Sequence, residues 1–360
     1  MDKTQVADRS GYSPQEVPFA DKRSGSRYLG LQWARIAACL MVLVFHATLY
    51  LNDGYIRIYY RGASGVDMFF VLSGFVIFIS SRKLELVVGG WKIFARHRLL
   101  RILPMYWLIT TLNLILLTLE AHMRGRALPN WLWVLCSYCF IPYRSSALEP
   151  GPVLGVGWTL EFEMLFYAIC TISLMQWRRI LPYTFVPLLA LAIGSFWRSS
   201  FHLEIFRFLD PVVLEFAFGM LVARLCYQRR YLSAWLAGPL AVVAFALLCH
   251  WPWPLGNLHR LDAGVLSAAL IYAVASLEDH LPRTPHWVLV MADATYLLYL
   301  IHVPILLEVS KATQRLHVHH PVLAMACASM VSIVLAVVMR LKVEAPILRW
   351  LQPRSGAASA

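Results

Sequence analysis

Charge is what this 360-residue chain has little of, with Asp, Glu, Lys and Arg making up 14% of it against roughly 25% in a soluble domain. Hydrophobic residues make up 59% and the mean hydropathy is +0.60. Those proportions exclude a soluble globular enzyme. They predict an all-α, polytopic transmembrane helical bundle, because lipid leaves every backbone polar group to be satisfied inside a helix. No apolar core lies within residues 1–29, so no cleavable signal peptide is expected there and the first span is expected to act as the insertion signal. There is no internal repeat of convincing register, and no polar stretch long enough for a soluble catalytic domain. Any chemistry therefore falls to the bundle or its faces. The seven cysteines are scattered. Cys136 and Cys139 form a Cys-x-x-Cys in an apolar stretch without a strand–helix–strand context, which reads as structural thiols. His317-x-His319-His320 reads as a solvated extracytoplasmic turn, and no metal is expected.

What is present is a series of about ten apolar runs, at roughly 30–51, 66–81, 104–121, 158–176, 181–197, 208–227, 232–250, 261–277, 287–307 and 321–340. They divide the chain into a cytoplasmic tail (1–29), a membrane domain (30–350) and a short C-terminal tail (351–360). The apolar piece at 131–142 is too brief to cross and reads as re-entrant or interfacial. With both termini in the cytoplasm, 21 of the 32 Lys and Arg residues fall on that side, as the positive-inside rule requires. The net charge of +12 is then a matter of topology, with no nucleic acid as partner.

Ionisable residues inside such spans are costly and mark function by default. Arg35 and His46 stand eleven residues apart in the first run, a spacing of about 16 Å along one helix face. That places a phosphate-compatible cation near the cytoplasmic headgroups and a titratable base at depth. A snorkelling Arg with a core His is the plain alternative. Asp67 opens the second run at a depth similar to that of His46, where a carboxylate would orient the imidazole. Ser73 and Gly74 follow it, with helix packing as their simplest use. Between Trp91 and Pro104 lies a basic amphipathic helix in which Arg98 and Arg101 share a face and Arg96 is displaced from it. Such a helix suits anionic lipid headgroups or a polyphosphate equally. Glu161 and Glu163 enter the fourth run two residues apart, so only one faces a central cavity. Tyr299 and His302, three apart, share a face of the ninth. Together these residues predict one shared polar cavity.

Five blocks in order resemble the acyltransferase-3 family of integral membrane O-acyltransferases: Arg35-x10-His46, Gly65-Val-Asp-Met-Phe-Phe-Val-Leu-Ser-Gly, Arg98-Leu-Leu-Arg-Ile-Leu-Pro, Trp158-x-Leu-x-x-Glu163-x-x-Phe-Tyr and Tyr299-Leu-Ile-His302. The resemblance runs from about residue 30 to 350 and is nearest the exopolysaccharide-modifying, ExoZ-type branch. Two departures stand out. Gln32 replaces an Asp found in many members, and Glu344-Ala-Pro346 lacks the Arg of a Glu-Arg-Pro block. The resemblance implies transfer of an acetyl group from cytosolic acetyl-CoA to a sugar hydroxyl, in a bacterial inner membrane. It implies His46, Asp67 and Glu163 as the catalytic group. Arg35, Arg98 and Arg101 would hold the cofactor, and Ser73, Tyr299 and His302 would line the cavity. Trp131, Trp133 and Tyr138 offer flat faces for a saccharide, or an ordinary interfacial belt. A transporter without chemistry, or an acyltransferase with a lipid or small-metabolite acceptor, are the competing readings.

Overall fold

The computed structural model describes residues 28–51, 58–144, 151–200, 203–250, 259–282, 284–317 and 320–351. Among these residues there are helices and turns and no strand. The helices are α1 (Gly30–Tyr50), α2 (Ser64–Ser81), α3 (Gly90–Met123), α4 (Trp131–Tyr138), α5 (Gly157–Trp177), α6 (Ile180–Gly194), α7 (Val213–Tyr227), α8 (Ala234–His250), α9 (His259–Ser276), α10 (His286–Arg315), α11 (Pro321–Met339) and α12 (Ala345–Leu351). Nearly all of both tails, and His319, lie outside the described residues.

Seven of these segments, built on α1, α2, α3, α5, α6, α10 and α11, are long and apolar enough to cross a bilayer. The chain is thus a multi-pass membrane protein. Helices α7, α8 and α9 are shorter, at 15, 17 and 18 residues, and coincide with the sixth to eighth apolar runs. The basic helix expected before the third span is not a separate element. It is the first part of α3, a single 34-residue helix with Pro104 inside it. Every fourth residue along that helix, Phe94, Arg98, Ile102 and Tyr106, is buried against the bundle. That burial outweighs the carbonyl a proline leaves without its partner.

Helix α2 is the centre of the bundle: 72% of its most apolar stretch is buried, against 17% for the segment from Pro321 to Leu351 at the lipid-facing edge. Glycine brings the central helices together. A Cβ on Gly74 would stand 2.0 Å from Phe216 O, and one on Gly219 would stand 1.9 Å from Val71 O. Only hydrogen fits at the α2–α7 crossing.

Contacts between helices also fix their directions. Helices α1 and α2 run oppositely, with Gly65 beside Ala38 O and the Tyr28 ring 5.1 Å from that of Phe75. Helices α2 and α7 run alike, since Phe70 meets Phe216 at 4.7 Å and Phe78 meets Tyr227 at 6.3 Å between ring centres. Helix α9 follows α7, with Gly264 beside Glu215 and Tyr272 donating to Arg230 O at 2.6 Å. Helix α10 runs with α1, pairing Arg35 with Thr295 and His46 with His302. Glu278, in the turn before α10, accepts the backbone N–H groups of Leu29 (2.6 Å) and Gly30 (2.9 Å). It thereby satisfies two of the orphan donors at the start of α1 and anchors the helix that carries Arg35 and His46.

Candidate active site

Five helices, α1, α2, α3, α5 and α10, line a partly open cavity. Three guanidinium groups line it, from Arg35, Arg98 and Arg101, together with one carboxylate, Glu163. Arg35 is 9% exposed and Arg98 7%, so these are cations held inside the protein, not side chains snorkelling to water. Arg35 Nη1 donates to Gln32 Oε1 and Nη2 to Thr295 Oγ1, each at 3.4 Å. Arg98 donates from Nη2 to Ser80 Oγ at 2.5 Å and lies over the rings of Phe94 and Tyr167 at 5.5 and 5.8 Å. Arg96, on another face of α3, is exposed and donates to Leu351 O. Glu163 Oε1 accepts from Ser73 Oγ at 3.2 Å and from Tyr167 Oη. Glu161 turns away from the cavity toward Arg207, 3.7 Å distant, as two-residue spacing on a helix dictates.

Among the lining residues, Tyr299, Thr159 and Phe69 stand together. The hydroxyls of Tyr299 and Thr159 are 2.8 Å apart, and the Phe69 ring stands 6.0 Å from that of Tyr299. His46 and His302, whose rings are 4.9 Å apart at 62°, lie outside that lining, with the Tyr299 ring 5.8 Å from that of His302. The expectation of one cavity shared by all the polar candidates is therefore corrected. Arg35, Ser73, Arg98, Arg101, Glu163 and Tyr299 line it, whereas His46, Asp67 and His302 do not. A second correction concerns Asp67. The contacts on His46 Nδ1 come from Val42 O at 3.0 Å and His302 Nε2 at 3.1 Å, with no Asp67 oxygen among them. Helix α10, parallel to α1, presents His302 at the height of His46 and occupies the place assigned to the carboxylate.

A cluster of arginines around a cavity can hold an anionic group, and a histidine pair near it can move a proton. Comparison with known proteins decides the class. Residues 28–341 match the model of the acyltransferase-3 family, described as an acyltransferase domain. The chain belongs to that family. It is an O-acyltransferase. It is also 32% identical over 310 residues to the exopolysaccharide production protein ExoZ of Rhizobium meliloti (strain 1021), covering 80% of this chain and 90% of that one. No solved structure matches.

Several residues of this cavity were not singled out from sequence. Thr159, Tyr167, Thr295 and Tyr296 all line the cavity, and Tyr296 donates to Ile102 O at 2.8 Å, tying α10 to α3. Hydroxyls on an apolar helix carry no signal until the facing helix is known. Near the Glu344-Ala-Pro346 block, Arg340 pairs with Asp293 at 3.1 Å and Glu344 at 3.6 Å, in a π-helical turn spanning Arg340–Glu344. Trp133 is corrected as a stacking face: it is buried and its indole donates to Gly151 O at 2.8 Å. Trp131, two residues earlier on α4, is 74% exposed. Among the described residues no cluster of His, Cys, Asp and Glu is arranged to hold a metal ion.

Proposed function

We propose that this acyltransferase moves an acetyl or similar acyl group from cytosolic acyl-CoA to a hydroxyl of an exopolysaccharide sugar, with His46 as general base. The observation that carries this reading is the set of three arginines around one cavity, Arg35 and Arg98 buried among them, with Arg35 on the α1 face that carries His46. The donor set fits a polyphosphate. Arg98 Nε and Gln32 Nε2 are buried nitrogen donors without a partner among the described residues, and guanidinium groups grip phosphate oxygens in pairs. Arg35, Arg98 and Arg101 would hold the phosphates of the donor, which supplies an activated thioester when bound. Glu163 offsets part of their charge. His46 would take the hydroxyl proton as the sugar oxygen forms its ester bond, and would return that proton to the departing thiol sulfur. The acyl group would reach His46 past Tyr299, which lines the cavity and stands 5.8 Å from the His302 ring. The ExoZ relative's name favours an exopolysaccharide as acceptor over a lipid or small metabolite.

The alternation of helix directions supports ten crossings. If α7, α8 and α9 did not cross, α10 would be the sixth crossing and would run against α1, yet the two are parallel. With one or all three crossing the directions agree, and α9 running parallel to α7 across the connecting α8 favours all three, with α10 the ninth. The Lys and Arg distribution then favours both termini in the cytoplasm, and the use of a cytosolic donor fits a bacterial inner membrane.

Purified protein in lipid vesicles, given radiolabelled acetyl-CoA and glycans from its host, is expected to transfer label to the glycan as a base-labile ester. Deleting the gene should remove ester-linked acetate from the exopolysaccharide. Unchanged acetate on the host's surface glycans would refute the assignment.

A further inference from the structure

Two carbonyl oxygens settle where the protons of the histidine pair sit. Leu298 O is 3.0 Å from His302 Nδ1, and Val42 O is 3.0 Å from His46 Nδ1. A carbonyl only accepts, so each Nδ1 carries hydrogen and, in a neutral imidazole, each Nε2 carries the lone pair. The lone pair of His302 Nε2 is directed at His46 Nδ1, 3.1 Å away. One N–H is therefore shared between an acceptor on α1 and an acceptor on α10. His46 Nε2 makes no hydrogen bond among the described residues, and it is the nitrogen left to accept a proton.

We infer that His302 is the positioning residue for His46, acting as a neutral acceptor behind the base; this rests on the reading of His46 as general base. Val42 O lies four residues back on the same helix and cannot by itself tie the ring to the rest of the site. The contact from α10 supplies that second point. When His46 Nε2 accepts the hydroxyl proton, positive charge spreads over the ring and Nδ1–H becomes a stronger donor. His302 Nε2 is already aimed at it, and such charge-assisted bonds are roughly twice as strong as neutral ones. Many base-orienter pairs use a carboxylate in this place. Here the group is 1% exposed at membrane depth, where a permanent charge is costly, and a neutral imidazole gives the same tautomer control without one.

The test is a cycle of His302→Phe, His302→Gln, His46→Ala and the His46→Ala/His302→Phe double variant, assayed for acetyl transfer in vesicles. Phe keeps ring volume without an acceptor, whereas Gln returns a carbonyl oxygen near the Nε2 position. We expect His302→Phe to lower kcat about 10- to 100-fold, the loss of one hydrogen bond to a charged group, with KM for acetyl-CoA unchanged. His302→Gln should recover most of that rate, and the double variant should be no slower than His46→Ala alone. Equal rates for the Phe and Gln variants, or losses that multiply in the double variant, would overturn the positioning role and leave His46 as base. A near-wild-type rate in His46→Ala would remove both readings. Should the Phe variant fail to reach the membrane, nitrogen-15 spectra of histidine-labelled wild type decide the point. A proton on His46 Nδ1 supports the inference, and one on Nε2 overturns it.

Discussion

Replacing Arg35 with Lys keeps a positive charge on the cavity wall and removes the planar fork. In the present structure the guanidinium uses two of its contacts loosely, on Gln32 and Thr295 at 3.4 Å each, so of its five N–H groups several remain for a phosphate. Lysine presents a point charge on a flexible stem and cannot bridge two phosphate oxygens in one plane. Losing one hydrogen bond to a charged group costs about 1.5–3 kcal/mol, which is roughly 10- to 150-fold in affinity. Titration calorimetry of the purified protein with CoA reads this as a change in Kd. Arg98→Lys should weaken binding as well, with a smaller change, because Ser80 and two aromatic rings already occupy that side chain. Arg96→Ala is the internal control. Its side chain is exposed and donates to Leu351 O, so Kd should not move. An unchanged Kd in Arg35→Lys, or an equal loss in Arg96→Ala, would move Arg35 out of the donor site and into helix packing.

His46→Ala should abolish transfer, by about 10²–10⁴-fold for a lost general base, while the protein still inserts and still binds CoA; activity near wild type would end that assignment. Gly74→Ala places a methyl group 2.0 Å from Phe216 O and is expected to destabilise by about 1–3 kcal/mol. Its thermal unfolding in detergent should occur well below that of Gly155→Ala, whose added carbon meets nothing within 4 Å. Glu278→Ala leaves two N–H groups at the start of α1 without acceptors and should cost about 1 kcal/mol, as a lost cap does. Burial pushes the Glu278 carboxyl above its ordinary range. The folded state thus holds that proton more tightly than the unfolded chain, and the stabilisation is lost as pH rises through the raised value. Glu278→Gln should flatten that part of the melting-temperature profile against pH, and an identical slope in both proteins would contradict it.

The class of fold and the chemistry-bearing helices were legible in the sequence, because both follow from local composition. A span announces itself by apolar length, and a buried Arg or His announces itself by its cost in lipid. The spacing of Arg35 and His46 already implied one face, and that of Glu161 and Glu163 already implied two. The amphipathic pattern placed Arg98 and Arg101 together and set Arg96 apart, as their burial bears out. What only the tertiary structure decided is which residues of different helices face one another. Helix α10 packs parallel to α1 and sets His302 behind His46, where sequence reasoning had put Asp67. What read as one polar interior is an arginine-lined cavity whose lining includes Tyr299 but not the His46–His302 pair beside it. The basic segment and the third span join into one helix because the burial of its inner face outweighs the local cost of Pro104. Periodicity states what a helix presents around its own axis, whereas its neighbours, their heights and their directions are set by side-chain packing between segments far apart in the chain. Here that packing turns on glycines such as Gly74 and Gly219, whose importance lies in the backbone each one meets.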